Sequence, residues 1–334
     1  MRALVLDAQG ARVRSDLPEP EARADHVRVK VSVVGVCATD LALARGYMGF
    51  RGVPGHEFVG EALSGPLAGQ RVVGEINAGC GRCARCNAGD PRHCATRSVL
   101  GILNHSGAFA EYLALPQANL LAVPHDMPDE VAVFAEPMAA ALQITEQLQV
   151  RDQHALVAGD GRLGLLCAHA LHAAGARVQV AGRHAEHADL LPPGVPLHTG
   201  WLESAGPPPR ALDAFDLAVE ATGNPEVLAR LSPLVRPGGD LVLKTTAERA
   251  VSLDLAPIVV REQRLVGSRC GRFAPALELL GGGTIPAERM VQGRYSLDRA
   301  PEALECAARP GVLKALVFVA ETANRNIDVA QGMS

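Results

Sequence analysis

The stretch VAGDGRLGLLCAHAL, residues 157 to 171, sets Gly159, Gly161 and Gly164 in a G-x-G-x-x-G spacing. An apolar run that reads as a strand precedes it, and a pattern that reads as a helix follows. That context limits what the loop can be. The first glycine permits a tight turn, the second lets backbone approach a pyrophosphate, and the third lets helix pack against strand. Arg162 and Leu163, between the second and third glycines, open the helix whose N-terminus faces the phosphates. A glycine loop kept only for packing is the plainer alternative, and the strand before it and helix after it argue against that. Further apolar strands, RVQVAG, DLAVEATG, GDLVLKT and QRLVGSRCG, alternate with helical stretches. Residues 149–286 therefore read as a doubly wound parallel sheet of the Rossmann kind in an α/β protein.

The adenosine ribose of a dinucleotide is read at the end of the next strand, where an NAD site usually carries Asp or Glu. Here Gly182 and Arg183 stand instead. The missing acid removes repulsion of a 2′-phosphate and the guanidinium offers it a planar fork, which favours NADP over NAD. The alternative is that Arg183 is a solvated surface residue and NAD binds. His184 and His187, just beyond, are expected to face solvent.

Before this region, residues 1–148 read as short β-runs cut by Gly and Pro, an irregular and partly antiparallel β domain. Residues 287–334 return to mixed helix and strand, so the dinucleotide domain is inserted in the first, and the tail ETANRNIDVAQGMS is polar. In the β domain, CGRCARCNAGDPRHC places Cys80, Cys83, Cys86 and Cys94 at C-x2-C-x2-C-x7-C. Four thiolates complete the tetrahedron of a closed zinc site with no vertex left for water, so a zinc here is structural. Disulfides, a redox C-x-x-C and an iron–sulfur cluster are the competing readings. The first residues, MRALVLDAQG, lack a secretory apolar region, which points to a reducing cytoplasm and against disulfides. Cys167, Cys270 and Cys306 read as small buried apolar residues.

A second set of donors is scattered. Cys37 in GVCATD, His56 in GHEFVGE and Glu136 in FAEPMAAAL offer one sulfur, one nitrogen and one oxygen. Three protein ligands and an open vertex describe a catalytic zinc. Charge points to small-molecule chemistry: 32 basic against 36 acidic residues, net −4, without a long like-charge block, gives no reason to expect nucleic acid or a membrane surface as partner. No apolar run is long enough to span a bilayer.

CATD, GHE, the four-cysteine lobe, AEP and GDGRLG follow one another in the order found in the medium-chain zinc-dependent dehydrogenases, which the chain resembles from residue 1 to about 320. The Glu-Pro at the third ligand is similar to the sorbitol and threonine dehydrogenase branch, where the ethanol branch has cysteine. The resemblance implies a GroES-like irregular β catalytic domain carrying the Rossmann insertion. It implies catalytic zinc on Cys37, His56 and Glu136, with Glu57 as alternative or exchanging ligand, and a structural zinc on the cysteine lobe, two per chain. Zinc as Lewis acid then acidifies the hydroxyl of a secondary alcohol, polyol or hydroxy amino acid, whose hydride goes to the nicotinamide. Thr39 resembles the family hydroxyl that carries the proton away, but the histidine that many relatives place three residues later is Ala42 here, and Tyr47 is a candidate substitute. By the same likeness Thr222 and Gly223 lie along the cofactor, GSRCG at 267 to 271 lies beside the nicotinamide, and Lys314 meets the pyrophosphate. The family commonly forms homodimers or homotetramers. Tyr47, Met48, Phe50 and Arg51 are expected to wall the active site. Two competing functions remain at this level: a zinc-free enone or quinone reductase, against which Cys37, His56 and Glu136 argue together, and a non-catalytic dinucleotide-binding redox sensor, which only Ala42 favours.

Overall fold

The computed structural model describes residues 1–21, 25–202, 215–246 and 252–319; the polar tail at 321–334 lies outside the described residues. The chain divides into two compact units. One comprises Met1–Glu136, Ala276–Gly282 and Ala287–Ser334, and the other Pro137–Pro275 with Gly283–Pro286. The helix Ala135–Gln147 thus belongs with the second unit from Pro137 onward.

The second unit is built on six parallel strands. Across the sheet they run Leu197–Thr199, Arg177–Gly182, His154–Ala158, Phe215–Glu220, Val235–Leu243 and Arg264–Gly267. Numbered along the chain, that order is third, second, first, fourth, fifth, sixth, the doubly wound arrangement. The central strands are apolar almost throughout because both faces are covered: Ala155, Leu156, Val157, Leu217, Ala218 and Val219 are wholly buried. The helix Arg162–Ala173 buries Leu165, Leu166, Ala168, Ala170 and Leu171. The order reverses between His154–Ala158 and Phe215–Glu220, and a dinucleotide binds outside the carboxyl ends of strands at such a switch point. Gly159 and Thr222 follow those two ends.

The first unit holds an irregular sheet. Its order is Val291–Ser296, Lys314–Phe318, His26–Gly35, Glu57–Ala62, Arg71–Gly74 and Leu120–Ala122, with Tyr112–Pro116 also pairing His26–Gly35. Only its first pair is parallel; the rest are antiparallel. The His26–Gly35 strand shows why this sheet reads as β in the sequence: Val27, Val29, Val31 and Val33 alternate with Arg28, Lys30 and Ser32, and the valines are buried. This sheet sets two chemically important segments side by side. Gly35 pairs with Glu57 across it, so the chain leaving one strand toward Cys37 runs next to the chain entering the other through His56. The small pair Asn77–Ala78 and Ser98–Val99 frames the cysteine lobe.

Candidate active site

Cys37 stands just before the short helix Ala38–Ala44, with its own backbone extended. Its N–H donates to Asp40 Oδ2 at 2.8 Å, which ties the helix start down. The other oxygen of Asp40 accepts the N–H of Gly55 at 3.1 Å and faces His56 Nδ1 at 3.4 Å. Gly55 is obligatory here: its φ is +99°, and a Cβ would meet Phe109 at 2.6 Å. One buried carboxylate thus fixes both halves of the site, a role that reading the CATD motif for ligands missed. An Asp three residues after an extended residue that opens a helix was the available signal.

The structure brings Cys37, His56 and Glu57 together, with one ligand atom from each lying within 4.8 Å of the others. Glu136, half-buried in the first turn of its helix, is outside that group and has interactions of its own. Of the two carboxylates expected at the third position, Glu57 is therefore the one gathered with Cys37 and His56 in the chain as it folds. The reason is an anchor: Glu57 Oε2 accepts from Lys314 Nζ, and both side chains are completely buried. Lys314 also lies 3.5 Å from the Val36 carbonyl and 5.2 Å from the centre of the Phe134 ring. This corrects the expectation that Lys314 meets a pyrophosphate. An ammonium with no exposed surface, ion-paired to a buried carboxylate, serves as the counter-charge of Glu57.

The electrostatics suit a cation. Burial alone would lower the pKa of His56, yet Asp40 and Cys37 beside it more than offset that and raise it well above the usual imidazole value. His56 Nδ1 makes no well-formed hydrogen bond although it is buried. A donor set of one half-buried sulfur with a buried nitrogen and a buried oxygen, in surroundings that favour positive charge, fits zinc. Thr39 Oγ1 is 3.8 Å from Cys37 Sγ. In the same unit a cleft of about 540 Å³ is lined by Met48, Phe50, Arg51, Ile102 and His105, so three of the four wall residues expected from the sequence border a cavity. Met48 takes a positive φ of 57° and is exposed.

The four sulfurs of Cys80, Cys83, Cys86 and Cys94 also lie within 4.8 Å of one another. All eight cysteines are free thiols, so no disulfide competes for them. The N–H of Cys80 points at Cys94 Sγ at 3.4 Å and, with Thr96, brings the Cys94 thiol down to about 6. Desolvation, with the hydrogen bond to Cys83 after it, pushes the Cys86 thiol up to about 11. This set is sulfur-only, with four donors and no vertex left over, and it fits a structural zinc.

In the second unit the glycine loop has the geometry its spacing implies. Gly159 has φ of +111° and lies so close to the Ala221 carbonyl that a Cβ would sit 2.5 Å from it, and a Cβ on Gly164 would collide with the Gly159 carbonyl. Beside Gly161, at the start of the helix Arg162–Ala173, the space is open, which is room for a phosphate. Thr222 donates its hydroxyl to Glu220 at 2.6 Å, and Gly223 follows with a positive φ. At the ribose end Gly182 closes the strand and Arg183 is exposed, and the histidines do not both face solvent as expected: His184 is only partly exposed and His187 is buried. Asp160, within the glycine motif, holds both.

The alcohol dehydrogenase GroES-like domain family matches residues 23–125, and an NAD(P)-binding family matches residues 147–252. An L-threonine 3-dehydrogenase of Streptomyces avermitilis is 31% identical over 320 residues, covering 88% of this chain and 92% of that protein. A D-altritol 5-dehydrogenase of Agrobacterium fabrum is 31% identical over 289 residues, 80% and 84% of the two chains. Among solved structures, a protein described as a zinc-binding dehydrogenase from Sinorhizobium meliloti, bound to NADP, superposes with a TM-score of 0.83 at 28% identity, covering 95% and 99%. The chain belongs to the zinc-dependent medium-chain dehydrogenases, in the branch of the sorbitol and threonine dehydrogenases. It is an NAD(P)-dependent oxidoreductase of the CH–OH group of an alcohol or polyol.

Proposed function

We propose that this chain oxidises a secondary alcohol, polyol or hydroxy amino acid with NADP in preference to NAD, using one catalytic and one structural zinc. The convergence of Cys37, His56 and Glu57 donors within 4.8 Å carries the reading. The names of the relatives, a threonine and an altritol dehydrogenase, support the substrate class, and the NADP in the S. meliloti structure supports the cofactor. When bound, zinc supplies a Lewis acid that acidifies a hydroxyl, and the nicotinamide supplies the hydride acceptor.

The chain's own residues do the rest. Cys37 and His56 hold the metal with Glu57, and Glu136 is the carboxylate available to replace Glu57. Asp40, 3.4 Å from His56 Nδ1, stands where outer carboxylates act on ligating histidines and attracts the imidazole by its charge. Lys314 balances the charge of Glu57. Thr39 receives the substrate hydroxyl proton and passes it toward solvent, since Ala42 offers no further relay. Gly159, Gly161, Arg162, Leu163 and Gly164 cradle the pyrophosphate, Thr222 and Gly223 border the cofactor, and Gly182 with Arg183 receives the 2′-phosphate.

No helix among the described residues is long and apolar enough to cross a membrane, and eight free thiols agree with a cytoplasmic protein. A homodimer or homotetramer is supported by the edge of the parallel sheet. There Leu265, on the outermost strand Arg264–Gly267, and Leu255, Val259 and Val260, around the preceding helix Ala256–Val260, are exposed large apolar side chains. An apolar sheet edge of this kind invites pairing with another copy. The test is a panel of polyols, secondary alcohols and hydroxy amino acids, each run with NADP and with NAD. Turnover on one of them, faster with NADP and abolished in His56→Ala, is the expected result. Turnover retained in His56→Ala would remove the metal mechanism.

A further inference from the structure

The strand Arg177–Gly182 ends without a side chain, yet the space is not empty. A Cβ on Gly182 would collide with the carboxyl group of Asp160, which comes from the middle of the glycine motif. Asp160 is 3% exposed, and its Oδ2 accepts the N–H of Arg183 at 2.9 Å and the N–H of His184 at 2.6 Å. His184 Nδ1 lies 3.3 and 3.2 Å from its two oxygens. The main-chain carbonyl of the same residue accepts from His187 Nδ1 at 2.8 Å, and the two imidazoles stand 4.7 Å apart, tilted by 41°. Burial by itself would push the Asp160 carboxyl up, but the His184 and Arg183 N–H groups and the His184 ring outweigh it and hold it below the usual carboxylate range.

A ribose-reading carboxylate must offer its oxygens to the sugar hydroxyls. This one is turned inward: Oδ2 takes both main-chain N–H groups of the following turn, and Oδ1 lies 3.3 Å from the His184 ring. The same bonds disfavour Asp160, His184 and His187 as a cation site, although the three lie within 4.8 Å of one another, because Oδ2 already accepts two main-chain N–H groups and the His187 Nδ1 is taken by the Asp160 carbonyl. Toward solvent the turn presents Arg183, which is exposed, and His184, whose side chain is partly exposed.

We propose that Asp160 is a positioning residue that shapes the Arg183–His184 turn into a 2′-phosphate pocket, and that His184 is the second side chain, after Arg183, to contact that phosphate. The carboxylate at this corner of the fold thus comes from the glycine loop and not from the strand end, and it anchors a phosphate-binding turn in place of reading the ribose. The proposal rests on the NADP reading above. It goes further in assigning the discrimination to the pair Asp160 and His184 and not to the absence of an acid at residue 182 alone.

The test is equilibrium binding of NADPH and NADH, with 2′,5′-ADP and 5′-AMP as fragments, to the zinc-loaded enzyme. Loss of one charge-assisted contact in His184→Gln should lower the NADPH-to-NADH affinity ratio about tenfold. Asp160→Asn should lower it by a smaller factor of about three, because the amide keeps one acceptor and loses the charge. The double change Asp160→Ala with Gly182→Asp returns the carboxylate to the strand end and removes the collision, and should invert the ratio in favour of NADH. The fragments should follow the same ratios, which a general loosening of the fold would not produce. Wild-type enzyme that prefers NADH overturns the cofactor reading and this proposal with it. A wild type that prefers NADPH, with a ratio unmoved by His184→Gln and by the double change, overturns the proposal alone.

Discussion

The two candidate metal sites of the first unit differ in how their donor side chains reach one another. In the cysteine lobe all four donors lie within a single short segment, framed by one small strand pair, and the chain has only to turn tightly. In the other centre Cys37 and His56 come from the ends of two paired strands, Glu57 adjoins His56, and the lysine that holds Glu57 arrives 257 residues later. A local site can be closed and uniform because one loop builds it. A site assembled from several elements can mix donor types and keep one vertex free, at the cost of burying charge that needs partners. Asp40 and Lys314 are those partners.

The changes that separate the two centres differ in size. His56→Ala should lower kcat by roughly 10³-fold, since removal of a Lewis acid worth several kcal/mol leaves little catalysis, while the melting temperature moves little. Steady-state turnover beside a thermal melt checks this. Lys314→Met strands the Glu57 carboxylate in a dry interior and should cost roughly 3–5 kcal/mol in a denaturant titration. Glu57→Gln combined with Lys314→Met should recover most of that loss, and a double mutant no more stable than the single one would contradict the counter-charge role. Cys83→Ser in the lobe should lower the melting temperature by roughly 10 °C, as loss of about 3 kcal/mol does in a domain of this size. Turnover per folded, zinc-loaded molecule should stay within about twofold of wild type, because a closed site contributes no open vertex to the chemistry.

The smallest effect lies outside both centres. Asp160 titrates below the ordinary carboxylate range in the folded chain, so its contribution to stability is complete above the unfolded-state value and is lost as pH falls through the folded one. Melts of wild type and Asp160→Asn should therefore differ near neutrality, with the gap starting to close as pH falls through about 4 and vanishing only below the lowered folded-state value. A constant gap down to acid pH would show that the carboxylate's charge contributes nothing there.

Features written in a few adjacent residues were legible in the sequence. The glycine loop and its strand and helix, the parallel sheet and the cysteine lobe all depend on local spacing. So did the pieces of the catalytic centre, although only a known family order joined them. What could not be read was the partner of each charge. Nothing near Lys314 in the chain points to Glu57, and a basic residue in an apolar strand looks equally suited to a phosphate. His187 lies in a short turn with no hydrophobic period, so its burial carried no signal. Asp160 sits in a position of the glycine motif that is read as variable, and its purpose appears only when the following strand ends in a residue without a side chain.

Zinc content of the purified protein by elemental analysis, measured on wild type, on Cys37→Ser with His56→Ala, and on Cys83→Ser with Cys94→Ser, is the most direct test of two centres with separate duties. The expected result is two zinc ions per chain in the wild type and one in each double variant. Turnover should be abolished in the first variant, and the melting temperature should fall mainly in the second. Two zinc ions retained when Cys37 and His56 are gone, or full turnover without them, would contradict it.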